Sequence, residues 1–399
     1  MRICLHTYYE ISNPYIGGTQ TLLIKLAKEL KILGHEAFIV CSSLCSHNMI
    51  EGVDVYGIIP QKYVNVLRQE YDGIPSSRFL KGALFMGKDL ATALTDLGEY
   101  SYEQYSKFQA DIYHLNSYVS LLSADKLQKP VVAYHHENEM EFDSFWGSGA
   151  FNELIIELKC LQSKSVLFTA SRYYANHFSI LLQKSIQAVH LGVPLNDMVY
   201  SKAVTYTEKT RFERNEDSVV ILVPSRFNVQ QKGQDLAITA CEKLLKKYNI
   251  ELVFSGIKAS LFDELKIFRQ KYQAFRITEK THFIAIENMY HLYESVHVVL
   301  SPERYCSYGL SISEALSIGI PTVLSDIPTY TEIASGYNHA VFFKKNDLDD
   351  LISKLDTVLS TAPQYNYRDN ESAIEFRINN DIRYTATTFS KIYKNLIKQ

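Results

Sequence analysis

The sequence predicts an α/β protein built of two αβα domains in tandem, and three observations carry that reading. A chain of 399 residues, at ~100 to 200 residues per domain, has room for two or three cores. Short apolar runs alternate with helical stretches in two successive series, the pattern of parallel strands covered on both faces by helices. Between the series, from about 200 to 217, lies a polar stretch of Lys, Glu, Thr and Asn that reads as a linker. The expected domains are 1–195, to which the C-terminal helix 382–399 returns, and 196–381.

The elements follow in order. Arg2–His6 is a short apolar strand, after which a polar loop through Gly17-Gly18 leads into a helix with Leu22, Leu23, Leu26, Leu30 and Leu33 on one face. Gly34-His35 stops that helix, and Ala37–Cys41 is the next strand. A weakly helical stretch over 76–99 precedes strands at Ile112–His114 and Val131–His135, and a helix over Phe151–Ser163 follows them. Val166–Thr169 is a strand, Ser171 opens a helix, and Ala188–His190 leads to the turn Gly192-Val193-Pro194. Past the linker come strands at Val219–Val223, Leu252–Ser255, His282–Ile284, Val298–Leu300 and Thr322–Ser325. Helices at Asp235–Lys247, Ser260–Phe275, Met289–Glu294 and Ser311–Ser317 alternate with them, and another runs from Leu348 to Thr361. The last helix, Asp381–Ile397, carries an apolar stripe of Ala386, Phe389, Ile392, Tyr393 and Leu396 that must bury against a neighbour.

Composition excludes several function classes. Apolar residues at 46% and charged residues at 21% describe a folded globular protein. Lys and Arg number 41 against 44 Asp and Glu, and residues 1–195 alone carry 16 and 19. Neither half is a polycation, so a nucleic-acid partner is not expected. The six cysteines form no C-x-x-C pair and are too sparse for a disulfide framework, so they read as reduced thiols. MRICLHTYYEI lacks the apolar core of a signal peptide, and no run approaches 18 apolar residues, which places the expected location in the cytoplasm. Twenty-eight Tyr and 20 Phe suit sugar stacking and core packing alike.

Four local features bear on chemistry. Gly17-Gly18-Thr19-Gln20 precedes a helix whose free amides and positive dipole end can hold an anion, although a glycine pair also makes an ordinary turn. It is not G-x-G-x-x-G, which disfavours a dinucleotide site. Ser225-Arg226-Phe227-x3-Gln231-Lys232-Gly233 follows the first strand of the second domain, where ligands of open α/β sheets bind; Arg226 and Lys232 there make a diphosphate clamp or, more plainly, a solvated loop. In Ser301–Val323 a strand end leads through a glycine loop to a helix carrying Glu314, then Gly319-x-Pro321 and another strand. A carboxylate so placed can accept both hydroxyls of a ribose, or simply complement a helix dipole. The fourth is Val131-Val132-Ala133-Tyr134-His135-His136-Glu137-Asn138-Glu139, a strand ending in a His pair. With Glu137, Glu139, Glu141 and Asp143 it could be read as a metal site, but it lacks the i,i+4 His spacing of helical zinc sites, and no metal is expected.

Taken together, GG-x-Q after the first strand, L-x-x-x-GH-E before the second, His-x-GVP at the junction, SRF-x3-QKG and G-L-x-x-x-EAL-x-x-G-x-P resemble the retaining GT-B glycosyltransferases of the glycogen-synthase and α-mannosyltransferase type, glycosyltransferase family 4. The resemblance covers nearly the whole chain. It implies two Rossmann-like domains facing across a cleft, with a nucleotide-sugar donor on the C-terminal domain and a saccharide or lipid-linked saccharide acceptor on the N-terminal one. No further cofactor is implied, and a UDP-sugar is expected ahead of a GDP-sugar. Residue by residue, it makes Arg226 and Lys232 the diphosphate clamp and Glu314 the ribose carboxylate. Gly309 and Leu310 become amides beside the phosphate or sugar, Gly17, Gly18 and Gln20 the donor-facing loop, and His136 the strand-end group beside the transferred sugar.

One position departs from the family. A second glutamate, expected eight residues before Glu314 in the donor site, is Cys306, and the nearest carboxylate is Glu303. Either Glu303 serves the sugar through a rebuilt loop, or the contact is lost, in which case Cys306→Glu would restore it. The implied function is sugar transfer with retention, in surface-polysaccharide or glycoconjugate synthesis. The alternatives are a non-catalytic glycosyltransferase-like partner protein and a nucleotide-sugar 2-epimerase. Residues 60–100, with Tyr63, Phe79, Leu80, Leu84, Phe85 and Met86, form either a core-facing helix or an amphipathic surface for a peripheral membrane contact at the inner face. Asp347-Leu348-Asp349 reads as a helix start, not as a metal motif.

Overall fold

The computed structural model describes residues 1–7, 11, 18–43, 46–60, 90–136, 165–194, 217–225, 229–255, 281–284, 289–293, 295–361 and 371–398. The chain divides into two compact units, Met1–Gly192 with Ile382–Gln399, and Val193–Asp381. The helices expected at 151–163 and 260–275, the linker up to 216 and the stretch 61–89 lie outside the described residues.

The first unit begins β1 (Arg2–His6), α1 (Gly18–Ile32), β2 (Glu36–Cys41), β3 (Asn48–Ile50), β4 (Val53–Gly57) and α2 (Leu90–Tyr105). It continues β5 (Ile112–Leu115), β6 (Val131–His135), β7 (Val166–Thr169), α3 (Arg172–Leu182) and β8 (Gln187–Ala188). The sheet order is β3-β4-β2-β1-β5-β6-β7-β8, parallel except for the β3–β4 hairpin. Ile3, Cys4 and Leu5 of β1 are fully buried because helices cover both faces of a central parallel strand. The hairpin, absent from the sequence reading, turns on Glu51 and Gly52, both at positive φ, the geometry of a two-residue primed turn. Helix α2 runs past residue 99 to Tyr105 because tyrosines make its buried face: Tyr100 and Tyr105 are fully buried, and Gln104 Nε2 donates to Ser42 Oγ at 2.9 Å.

The second unit comprises β9 (Val219–Pro224), α4 (Val229–Lys232), α5 (Gln234–Leu244), β10 (Ile250–Ser255), β11 (Thr281–Ile284), α6 (Met289–Tyr293) and β12 (Val298–Ser301). It continues α7 (Leu310–Ile318), β13 (Thr322–Ser325), α8 (Pro328–Ala334), β14 (Ala340–Phe343), α9 (Leu348–Leu359) and α10 (Glu371–Asn379). Its sheet is parallel, in the order β11-β10-β9-β12-β13-β14. Val219, Ile221, Val223, Leu252, Phe254, Val298, Leu300 and Val323 face Ala237, Cys241, Leu351 and Leu355 of α5 and α9 in one core. Asp347 caps α9, accepting from Asp350 N at 3.1 Å.

The last helix, α11 (Ile382–Ile397), packs within the first unit. Phe389 lies 4.6 Å, ring centre to ring centre, from His114 and 5.1 Å from Tyr134, and Thr385 Oγ1 donates to His190 O at 2.8 Å. These contacts absorb the apolar stripe of a helix that could not stand alone.

Candidate active site

In the second unit the chain passes from β9 to β10 and β11 on one side, then returns to β12 on the other. The strand order therefore switches direction between β9 and β12, and in open α/β sheets the crevice outside the carboxyl ends at such a point is where ligands bind. Lys232 follows β9 and Glu303 follows β12, and the structure joins them: Lys232 Nζ donates to Glu303 Oε2 at 2.7 Å. Their side chains are 13% and 4% exposed, so the pair is largely withdrawn from water. Arg226, predicted beside Lys232, lies outside the described residues.

The two loops that carry this pair touch at backbone level. Gly233 caps α5 with φ +66°, and a Cβ there would stand 2.0 Å from Pro302 O, so only glycine fits. Arg304 N donates to Gln231 O at 2.8 Å. The Arg304 guanidinium then donates to both carboxylate oxygens of Asp235 at 3.1 and 2.7 Å, to Val229 O at 2.6 Å, and to Asn346 Oδ1 at 2.9 Å.

Around Glu303 the site is buried. Ser325 Oγ donates to its carbonyl, and Ser301 Oγ and the Tyr330 hydroxyl share a hydrogen bond of 2.9 Å. Burial, and then the charge of Glu303, push the Tyr330 hydroxyl well above its usual range and the Cys306 thiol up to about 12. Cys306 is therefore a neutral thiol beside a carboxylate, in no sense a replacement anion.

Helix α7 opens at Gly309, which has φ +94° and approaches Tyr330 so closely that a Cβ would lie 2.5 Å from its ring. Ile312 N and Ser313 N bond to Gly309 O, while the amides of Leu310 and Ser311 precede the first helical carbonyl that could take them. Glu314 is the fifth residue of α7 and only 8% exposed, too buried for a solvated complement to the dipole. The Tyr293 hydroxyl lies 2.8 Å from Ser311 O and 3.2 Å from Glu314 Oε2.

The remaining predicted residues belong to the first unit. His136 directly follows β6, 9% exposed, with Nε2 3.1 Å from Asn116 Oδ1. Asn116 Nδ2 donates to His114 O at 3.1 Å, which turns Oδ1 toward His136 and assigns the proton to His136 Nε2. Burial, then His114 and His135, hold His136 well below the usual range, so the ring is neutral. Gly18 and Gln20 lie in the first turn of α1, beyond the carboxyl end of β1; Gly17 is outside the described residues, as are Glu137, Glu139, Glu141 and Asp143. No cluster of three or more metal-ligating side chains occurs among the described residues.

Sequence reasoning missed Arg304, Asp235, Tyr330, Tyr293 and Asn116. Arg304 stood within the loop already singled out, but its partner is 69 residues away. One signal was available: a charge in a segment flanked by Pro302 and Tyr305 has few ways to stay solvated.

Residues 205–373 match the family described as Glycosyl transferases group 1. An uncharacterized glycosyltransferase, MJ1607 of Methanocaldococcus jannaschii, is 22% identical over 374 residues, 90% of this chain and 89% of its own length. Sucrose-phosphate synthase from Thermosynechococcus elongatus superposes with a TM-score of 0.74 at 13% identity, covering 100% of this chain and 99% of the other. Anabaena Alr3699/HepE, solved in complex with UDP and glucose, gives 0.65 at 15% identity, covering 99% and 100%. Both share the arrangement of two parallel-sheet domains.

Proposed function

We propose that the chain is a GT-B glycosyltransferase that moves a sugar from a UDP-sugar to a hydroxyl of a saccharide, free or lipid-linked, with retention at the anomeric carbon. The match of residues 205–373 to glycosyl transferases group 1 and the two-domain fold support the glycosyltransferase reading. The single observation that carries the assignment of the donor site is the buried Lys232–Glu303 pair at the carboxyl ends of β9 and β12. A cation fixed in a partly dry site stabilises the charge that develops on a leaving diphosphate, with little reorganisation during the reaction. Glu303 holds the Lys232 ammonium in place until the diphosphate arrives and shares it afterwards. The open amides at Leu310 and Ser311 and the dipole of α7 favour phosphate at the same end of the sheet, and Glu314 accepts the ribose hydroxyls. His136, neutral and giving its Nε2–H to Asn116 Oδ1, keeps Nδ1 as an acceptor suited to a sugar hydroxyl and not to carrying charge. The HepE complex supports uracil as the donor base, and retention rests on the sequence resemblance.

The test is transfer from a panel of nucleotide sugars, with the anomeric configuration of the product read by NMR. Lys232→Ala should lower kcat by ~10²–10³, the cost of removing one preorganised donor. Unchanged transfer by Lys232→Ala would remove the clamp assignment. Epimerised donor without acceptor would replace transfer by epimerisation, and an inverted product would overturn retention.

A further inference from the structure

We propose that Arg304 is a positioning residue for sugar transfer: it locks the loop bearing Lys232 to the loop bearing Glu303, and so sets where the diphosphate-facing ammonium stands. The inference rests on the reading of Lys232 as the diphosphate cation.

Four of the five N–H donors of Arg304 are committed within the protein, to Asp235 twice, to Val229 O and to Asn346. Its charge is matched by Asp235 and its side chain is 14% exposed, so it has little left to offer a ligand. What it does have is reach. Val229 O belongs to the first turn of α4, which ends in Lys232, and Asp235 stands in the first turn of α5, just beyond Gly233. Asn346 precedes α9, held at φ +63°, a conformation asparagine tolerates better than most residues. The neighbour of Arg304 in sequence is Glu303 itself. One planar fork therefore fixes three segments around the Lys232–Glu303 pair, on both sides of the four-residue helix α4, which is too short to hold its own geometry. Lysine cannot reproduce this, since it is a single point charge without the bidentate fork. The separation of Lys232 from Glu303 by 71 residues means that no local element sets their distance; the Arg304 bonds and the Gly233–Pro302 contact do.

The experiment is a double-mutant cycle on the full chain, reading kcat and acceptor KM together with Tm. Arg304→Gln should lower kcat by about 10- to 100-fold, the scale of a displacement near 1 Å in a reacting site, with acceptor KM unchanged. Arg304→Lys should fall between Arg304→Gln and the native protein. In a Lys232→Ala background, Arg304→Gln should cost no more than about twofold further, because the group it positions is gone. A merely structural role predicts the same loss in both backgrounds, and that result, or native kcat in Arg304→Gln, would overturn the proposal. If Arg304→Gln does not fold, Asp235→Asn and Arg304→Lys carry the same cycle with the same two outcomes. Native transfer by Lys232→Ala would instead defeat the clamp reading on which the proposal stands, a result distinct from additivity.

Discussion

Glu303 and Cys306 show how little room the loop after β12 leaves for a second charge. A buried ion pair contributes modestly to stability while both partners are present, but loss of one leaves the other uncompensated, at ~3–5 kcal/mol. Glu303→Gln should therefore cripple transfer and lower Tm, since Lys232 keeps only a neutral acceptor. A glutamate at 306 belongs to the family pattern, and by sequence alone Cys306→Glu restores a contact. The surroundings of position 306 argue for the opposite outcome. Position 306 is 8% exposed and beside Glu303, so a second carboxylate would meet both desolvation and a like charge. Cys306→Glu should lower both Tm and kcat, whereas Cys306→Ser should change little; a more active Cys306→Glu enzyme would contradict this account. Gly233 is equally constrained by φ +66° and the Pro302 carbonyl, and Gly233→Ala should reduce transfer at least as much as Arg304→Gln because it forces the two loops apart.

At the scale of elements, strand ends in the first unit carry neutral, buried histidines. Burial pulls His6 down to about 4 and His114 to about 3, with His136 also lowered. His6 Nε2 pairs with Gln104 Oε1 at 2.9 Å, and His114 bonds the Tyr393 hydroxyl of α11. A histidine whose folded pKa lies below its unfolded one favours the fold while neutral. That contribution is complete above about pH 6.5 and is lost as pH falls toward 4, because the unfolded chain takes up the proton first. His6 alone corresponds to about 3 kcal/mol across that interval. Urea titrations at pH 7 and pH 5 should show stability falling with acid, and His6→Gln should flatten the slope; a slope unchanged by His6→Gln would show that another group sets it. Most strands of both sheets were legible because fully buried parallel strands read as continuous apolar runs, as in Val219–Val223, whereas the partly buried β3, β4 and β14 were missed. Helix α10 was not, because only Ala373 and Phe376 of its nine residues are buried and no stripe marks it. The candidate site's local features were legible in the sequence, Gly309 before a helix and Lys232 in the segment after a strand. The Arg304–Asp235 fork and the Tyr330 contact were not, because they depend on which distant segments the sheet order brings together.

At the scale of the whole molecule, the chain passes between its two units twice, at 192/193 and at 381/382. Val193 N donates to Asn380 O at 2.7 Å, so the two crossing segments are tied at the point where they enter the second unit. Among the described residues no helix is long and apolar enough to cross a membrane. Each unit has its own sheet and core, and their chemistries differ: His6, His114 and His136 belong to the first, while Lys232, Glu303 and Glu314 belong to the second. Two perturbations should therefore separate them in one hydrogen-exchange experiment on the intact chain. On the proposed function, UDP at 100 times its Kd should stabilise the folded second unit by ~2.7 kcal/mol, slowing exchange in β9, α5, β12 and α7. Acidification from pH 7 to 5 should instead speed opening of β1, β5, β6 and α11, after correction for intrinsic exchange rates. His339, buried and lowered in the second unit, should give that unit a smaller response of the same sign. Protection by UDP confined to β1 and β6 would move the donor site to the first unit and refute the assignment of Lys232, while equal acid sensitivity of both sheets would refute the histidine account.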